Sequence, residues 1–294
     1  MKHALLLISS YGIDPLKRCL MQYFKYQDVF DIYIHVDGKT LDELNKFKIT
    51  VTDNSDDGIE YIQHITQLSN IKYVKHKHSC ARFSFGLLLA EFHLFRKAFE
   101  TSEYISYHVV SESCFFYKDI NAFVDYFDTH KDYDFIDYFQ HQISRAFNNH
   151  PLMSDKKYFK SSQWISLSQK TLNRIIEEDL FTRIYQDKIS DFITYPCNGA
   201  YDEIVLQTYI INEIYTPEDL QKPEYKPKVS RIISWYNNND RPNTMTYDFF
   251  SKNKWTFNHK HLYSGFFVRK IDVYNKNSLE LVEYFNEKYG KFEQ

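Results

Sequence analysis

The chain has 294 residues, 43% hydrophobic and 26% charged, which is ample for a sizeable core. Seven Gly and seven Pro, about 5% together where about 12% is usual, exclude collagen-like, linker-like and Pro-rich disordered classes. A net charge of −3 excludes a protein that binds nucleic acid over its whole surface.

The N-terminal region alternates strands with helices. Ala4 to Ile8 is an apolar run of strand length, and Pro15 to Tyr26 has helical spacing through Leu16, Cys19, Leu20 and Phe24. Asp31 to Val36 predicts a second strand that ends on Asp37-Gly38, and Ile71 to Val74 a third. Ser84 to Phe99 predicts a long amphipathic helix through Leu87, Leu88, Glu91, Leu94, Phe95 and Ala98, Tyr104 to Val110 a strand, and Ile120 to Phe127 a helix. The second half is less regular. Phe135 to Phe139 and Trp164 to Leu167 are short strand candidates, Gln169 to Glu178 a helix, and Ala200 to Ile214 a helix led by Asp202 and Glu203. Thr216 to Asn258, with four of the seven prolines, predicts long loops. This order predicts an α/β fold with a mainly parallel central sheet and helices on both faces. It is expected to form one domain over 1–294, with a regular half in 1–130 and a less regular one in 131–294.

Cys19, Cys80, Cys114 and Cys197 show no metal spacing, so reduced thiols are the simpler reading. The opening apolar run is too short to span a bilayer and lacks a cleavage signal, and no later window reaches that length. A cytoplasmic protein is expected. The 25 Tyr and 25 Phe accompany abundant Lys, Ile and Asn, a composition that AT-rich coding also produces, so aromatic content by itself marks no binding surface.

In an open parallel sheet, ligands collect beyond the carboxyl ends of the strands. Here those ends are Ser9-Ser10, Asp37-Gly38-Lys39 and Ser111-Glu112-Ser113. No GxGxxG follows the first strand, and there is no GxxxxGK[ST] and no GxSxG, which excludes the usual dinucleotide fold, the P-loop and the hydrolase elbow. Nucleotide-sugar glycosyltransferases remain. Asp132-Tyr133-Asp134 matches their metal-holding string, but it precedes a strand instead of following one. A metal at Asp132 and Asp134 is therefore the alternative, and positioned Arg or Lys on a departing diphosphate the main expectation. Residues 222–270 suit that expectation, with a local charge of +7 against −10 for the rest of the chain, although a solvated lysine face would read the same way.

A series of short blocks in order resembles the core-2/I-branching β-1,6-N-acetylglucosaminyltransferase family, which includes peptide O-xylosyltransferases. Ile34-His35-Val36-Asp37-Gly38-Lys39 resembles its His-Val-Asp-x-Lys block. Arg82-Phe83-Ser84 with Ala90-Glu91, Leu94 and Lys97-Ala98 resembles its Trp-Gly-x-Phe-Ser helix. Ser161-Ser162-Gln163-Trp164-Ile165-Ser166-Leu167-Ser168 resembles Gly-Ser-Gln-Trp-Phe-Ser-Leu-Thr. Asp202-Glu203, then Ile233-Ser234-Trp235, Arg241-Pro242 and Phe267-Val268-Arg269-Lys270-Ile271-Asp272, resemble the closing elements. Tyr107 to Phe116 departs from the family, with Glu112 and Cys114 and no proline.

The resemblance implies a GT-A-type fold, inversion at the anomeric carbon, no divalent metal or other cofactor, a UDP-sugar donor and an oligosaccharide or glycoconjugate acceptor. It makes Glu203 the general base, where the plainer role is charging a helix N-terminus. It makes Lys270 a diphosphate ligand, with Arg241 as a second. Arg269 would point to the opposite face of a strand, as a surface charge. Asp37, Lys39, Ser9 and Ser10 are donor-site candidates, Asp37 being equally suited to the turn before Gly38. Ser162, Gln163, Trp164 and Trp235 are sugar-site candidates, although either Trp would also suit a core. UDP-N-acetylglucosamine is the leading donor, xylose or another sugar the runner-up, and a degenerate glycan- or nucleotide-binding protein the reading from another class. Action on a glycan precursor at the inner face of a membrane is expected.

Overall fold

The computed structural model describes residues 1–81, 84–140, 156–186, 201–228, 231–233, 244–252, 266–272 and 274–289. The first half folds as β1 (His3–Ser9), α1 (Ile13–Met21), β2 (Phe30–Val36), α2 (Gly38–Lys46), α3 (Asp57–Thr66), β3 (Ile71–Lys75), α4 (Phe85–Thr101), β4 (Ser106–Ser111), β5 (Phe115–Phe116) and α5 (Ile120–Thr129). Then come β6 (Phe139–Gln140), β7 (Phe159–Lys160), β8 (Ser166–Ser168), α6 (Gln169–Glu177), α7 (Leu180–Gln186) and α8 (Tyr201–Tyr209). The described part closes with β9 (Arg231–Ile233), α9 (Tyr247–Lys252), β10 (Phe267–Arg269) and α10 (Lys276–Tyr289).

The central sheet runs β3-β2-β1-β4-β8. β1 pairs in parallel with β2 and with β4, β2 in parallel with β3, and β8 lies antiparallel on the β4 edge. All seven residues of β1 are buried, as expected of a strand covered on both faces. The alternation is visible in the packing. Ala4, Leu6 and Ile8 join Leu88, Phe92, Phe95, Val205 and Tyr209 on one face. Leu5 and Leu7 join Leu16, Leu20, Ile62, Phe123 and Phe127 on the other. α4, α6 and α8 therefore cover one side, and α1, α3 and α5 the other. This is the α/β architecture with a mainly parallel sheet that the sequence predicts.

Local chemistry sets several boundaries. Asp119 caps α5 by accepting from the amides of Asn121 and Ala122 at 2.9 and 3.1 Å. Ser168 caps α6 through the Thr171 amide at 3.2 Å. α8 does not continue as an α-helix to Ile214, and Ile210–Ile214 instead widens into a π turn. The predicted strand over Phe135 to Phe139 reduces to one bridge, Phe135 with Ser166, and the two-residue β6. The expected loops after Thr216 include two 3-10 turns, β9 and α9. Among the described residues, no helix is long and apolar enough to cross a membrane. Cys19, Cys80 and Cys114 carry thiols, and Cys197 lies outside the described residues.

A small sheet, β5-β10-β9, packs beside the central one. β10 runs antiparallel to β5 and parallel to β9, so the chain just past β4 holds the C-terminal strand. This brings Arg269 and Lys270 to the carboxyl ends of β1 and β4.

Candidate active site

The floor of the site is the loop between β1 and α1. Glu112, 2% exposed just beyond β4, accepts from the amides of Ser10 at 2.5 Å and Tyr11 at 2.6 Å. Burial pushes its carboxyl up, while those two amides and Arg269 hold it down. The Gly12 amide donates to Thr40 Oγ1 at 2.9 Å, and the Ile13 amide to Glu43 Oε2 at 2.7 Å. Four consecutive amides that could cradle a phosphate are thus satisfied internally. Gly12 adopts φ +119° with Glu43 and Lys39 close over it, and Gly38 adopts φ +49° against the Ser10 carbonyl. A side chain at Gly12 would be strained by that φ, and one at Gly38 would press on the Ser10 carbonyl.

Ser111-Glu112-Ser113, a departure in sequence, is therefore an organised node. Arg269 is not the surface charge expected of it. Its Nη1 donates to Ser113 Oγ at 2.8 Å and to Ser111 Oγ, and its guanidinium lies 3.9 Å from the Trp164 ring centroid. β10 ends at Arg269, and what this side chain meets is the node and the tryptophan. Trp164 is half-buried under that arginine.

Lys270 Nζ lies 5.4 Å from the ring centroid of Tyr11, and Lys39 Nζ 5.8 Å from that of Tyr274. Tyr11 is 48% exposed and Tyr274 63%. Because the Lys39 side chain also crosses Gly12, the order Tyr274, Lys39, Tyr11, Lys270 forms a continuous rim of aromatic rings and ammonium groups. Lys39 is also 3.5 Å from Glu43. Asp37 accepts from the Cys80 amide at 2.6 Å and lies 3.7 Å from His76. Ser10 contributes its amide to the floor. Ser9 is wholly buried, and its hydroxyl bonds Thr40 Oγ1 at 3.0 Å, which turns it into the core and away from any ligand.

The opposite wall is acidic. Asp202 and Glu203 stand in the first turn of α8. Glu203 Oε2 is 3.1 Å from Lys160 Nζ, on β7, and its carbonyl accepts from the Ser161 amide at 2.9 Å. Glu91, on α4, is wholly buried, and Gln163 Nε2 donates to its Oε1 at 2.8 Å. Burial, then Asp202 and Glu203, push the Glu91 carboxyl well above the usual range. The Cys80 thiol is pushed up by burial and by Asp37, Glu91 and Asp202, which marks how near β2's end comes to these acids. Ser162 Oγ accepts from the Trp164 amide at 3.3 Å.

The 161–165 segment joins the two walls. Ser161 meets Glu203, Gln163 meets Glu91, and Trp164 lies under Arg269, the neighbour of Lys270.

Other expectations fall elsewhere. Asp134 is buried and accepts from the Ser168 amide at 2.7 Å, from Tyr215 at 2.7 Å and from Thr171, which ties it into the core. Asp132 is exposed, and among the described residues no three His, Cys, Asp or Glu are arranged to hold a metal ion. The described cations of 222–270 do not share one basic face. Lys222 pairs with Asp219 at 2.8 Å, Lys226 bonds the Leu220 carbonyl at 2.6 Å, and Lys228 is half-buried against Pro223 and Lys226. Among the described residues of that segment, Arg269 and Lys270 are the cations brought to the strand ends. Arg82, Phe83, Trp235 and Arg241 lie outside the described residues. Sequence reasoning did not single out Tyr11, Tyr274, Glu91 or Lys160. An acid in an otherwise apolar helix was the available signal for Glu91.

No curated protein matches the chain. Among solved structures, HddC from Yersinia pseudotuberculosis is 15% identical, with 58% of this chain and 79% of that one covered and a TM-score of 0.28. A UDP-glucose pyrophosphorylase complexed with UDP-glucose is 10% identical over 63% and 88%, at TM-score 0.29. The glycosyltransferase GlyE from Streptococcus pneumoniae TIGR4 is 10% identical over 100% and 66%, at TM-score 0.36. The family model described as core-2/I-branching enzyme matches residues 4–256. With nearly the whole length matched and the expected α/β sheet in place, the chain belongs to the core-2/I-branching enzyme family and is a glycosyltransferase.

Proposed function

We propose that the protein is an inverting, metal-independent transferase that moves N-acetylglucosamine from UDP-N-acetylglucosamine to a hydroxyl of an oligosaccharide or glycoconjugate. The observation that carries this reading is the 161–165 segment, which ties the backbone of the α8 first turn, where Glu203 stands, to the strand end that leads to Lys270. Inverting transfer needs a base on one side of the anomeric carbon and charge stabilisation of the leaving group on the other.

In this mechanism Glu203 accepts the proton of the acceptor hydroxyl while its oxygen attacks the anomeric carbon. The bond from that carbon to the diphosphate oxygen breaks, and its electron pair leaves with UDP. The Lys270 ammonium stabilises the developing charge, and the Tyr11 and Tyr274 rings flank the donor. Lys160, bonded to Glu203, keeps the resting carboxylate paired until an acceptor arrives. The rim's lysines suit a small doubly charged anion, which favours a nucleoside diphosphate over a long polyanion. Action near a membrane on a lipid-linked or surface glycan precursor remains part of this proposal.

UDP release with and without EDTA tests it. Turnover with UDP-N-acetylglucosamine that resists EDTA is the expected result. EDTA-sensitive turnover overturns the metal-free mechanism, and faster turnover with UDP-xylose or another UDP-sugar overturns the donor. Tight UDP binding without turnover on any glycan acceptor would point to a binding protein.

A further inference from the structure

The inference concerns Glu91, an acid that the mechanism above does not use, and it rests on the reading of Glu203 as base. α4 is apolar around it, with Leu88, Ala90, Phe92, Leu94 and Phe95 buried. Glu91 itself is 1% exposed. Its Oε1 is held by Gln163, and among the described residues its Oε2 has no hydrogen-bond partner. Among the described residues, the charged and titratable groups around it are Asp202 and Glu203 from α8 and Cys80 from the segment before α4, with Asp37 beyond that cysteine. Lys160, the cation among these groups, is bonded to Glu203.

A carboxylate in such a place would be desolvated and would face two more carboxylates, so the neutral acid is the favoured form. Its location matters as much as its state. Glu91 touches the segment that holds the Glu203 carbonyl at Ser161 and the Arg269 guanidinium at Trp164.

We propose that Glu91 is a positioning residue for the transfer reaction: buried between Gln163 and the first turn of α8, it fixes the 161–165 segment and leaves Glu203 as the working carboxylate. Ionisation of Glu91 would add a charge facing Asp202 and Glu203 in a dry space and push α8 off α4. Transfer should therefore decline on the alkaline side for a reason that involves neither substrate.

Three measurements on the full chain test this. Infrared spectra of the wild type at neutral pH should contain a protonated-carboxyl band that is absent from Glu91→Gln. Glu91→Ala should lower kcat by about 10–100-fold with the donor KM moved less than about threefold, the pattern of a misplaced catalytic group. Glu91→Gln should restore most of that loss and move the alkaline limb of the kcat profile upward. An absent band, an unmoved limb, or an Ala variant with wild-type kcat overturns the proposal, and the band and the Gln variant decide it if the Ala variant does not fold. Glu203→Gln separates the two readings. If that variant still transfers, the base assignment fails and the role of Glu91 with it. If it is inactive while the band or the limb behaves otherwise than stated, Glu91 alone fails.

Discussion

The two walls of the site handle charge in opposite ways. On the acidic side, Glu91 and Asp202 are buried, and one lysine from β7 meets the carboxylate nearest the solvent. On the basic side, Lys39 and Lys270 stand over exposed tyrosine rings, while Arg269 alone is drawn inward. A base must keep a lone pair for the acceptor's proton, and a doubly charged leaving group can be received by cations that remain hydrated. The difference predicts that damage to the first wall is read in the chemical step, and damage to the second in donor affinity.

The strongest way to break that division is Glu203→Gln. Loss of a positioned base should lower kcat by about 10²–10⁴-fold, while calorimetry finds UDP affinity unchanged within about twofold. An equal fall in both would merge the walls into one binding site. Glu112→Ala should come next in size. It leaves the Ser10 and Tyr11 amides without their shared acceptor and removes a negative charge near Arg269, at a cost of about 3 kcal/mol in urea unfolding. A value below about 1 kcal/mol would mean that the loop supports itself.

Acid titration extends the comparison to the sheet beneath the walls. His35, which accepts from the Lys77 and His78 amides, and His3 are both held near about 3 by burial, below the ordinary 6.5. The unfolded chain therefore takes up protons below 6.5 that the fold refuses until about 3, so stability falls as the pH is lowered through that window. At pH 5 the loss should be on the order of 2 kcal/mol for each ring, measured by urea unfolding across pH, and His35→Gln should flatten the slope. The smallest effect should be Lys270→Ala, about tenfold weaker UDP binding with kcat for bound donor lowered less than the base variant lowers it.

Much of the fold is legible because burial writes itself into short apolar runs. β1, β2 and β4 read directly, as does α4 with Ser84 before it. α2 does not, since it buries only Thr40 and Leu44. Three-residue strands such as β8, β9 and β10 hold too few side chains for a period to show. The site divides along the same line. Glu203 and Lys270 were named through the family's blocks, and the structure sets each in a different wall. Arg269 was misread because alternation on a strand gives its face and says nothing of what covers that face. Glu112 looked like a lost motif because its partners lie about a hundred positions away, at Ser10 and Tyr11. Ser9 read as a ligand group because a strand end was expected to be open, and Thr40 closes it.

The β1–α1 loop has a further consequence for selectivity. Its amides bind Glu112, Thr40 and Glu43, so no rigid backbone cradle is left there to fix a phosphate by geometry. A lysine on a flexible stem attracts charge without reading shape. Diphosphate recognition at this rim should therefore weaken steeply with ionic strength and accept many nucleotide sugars alike. Discrimination between donors then falls to the groups that meet the nucleoside and the sugar.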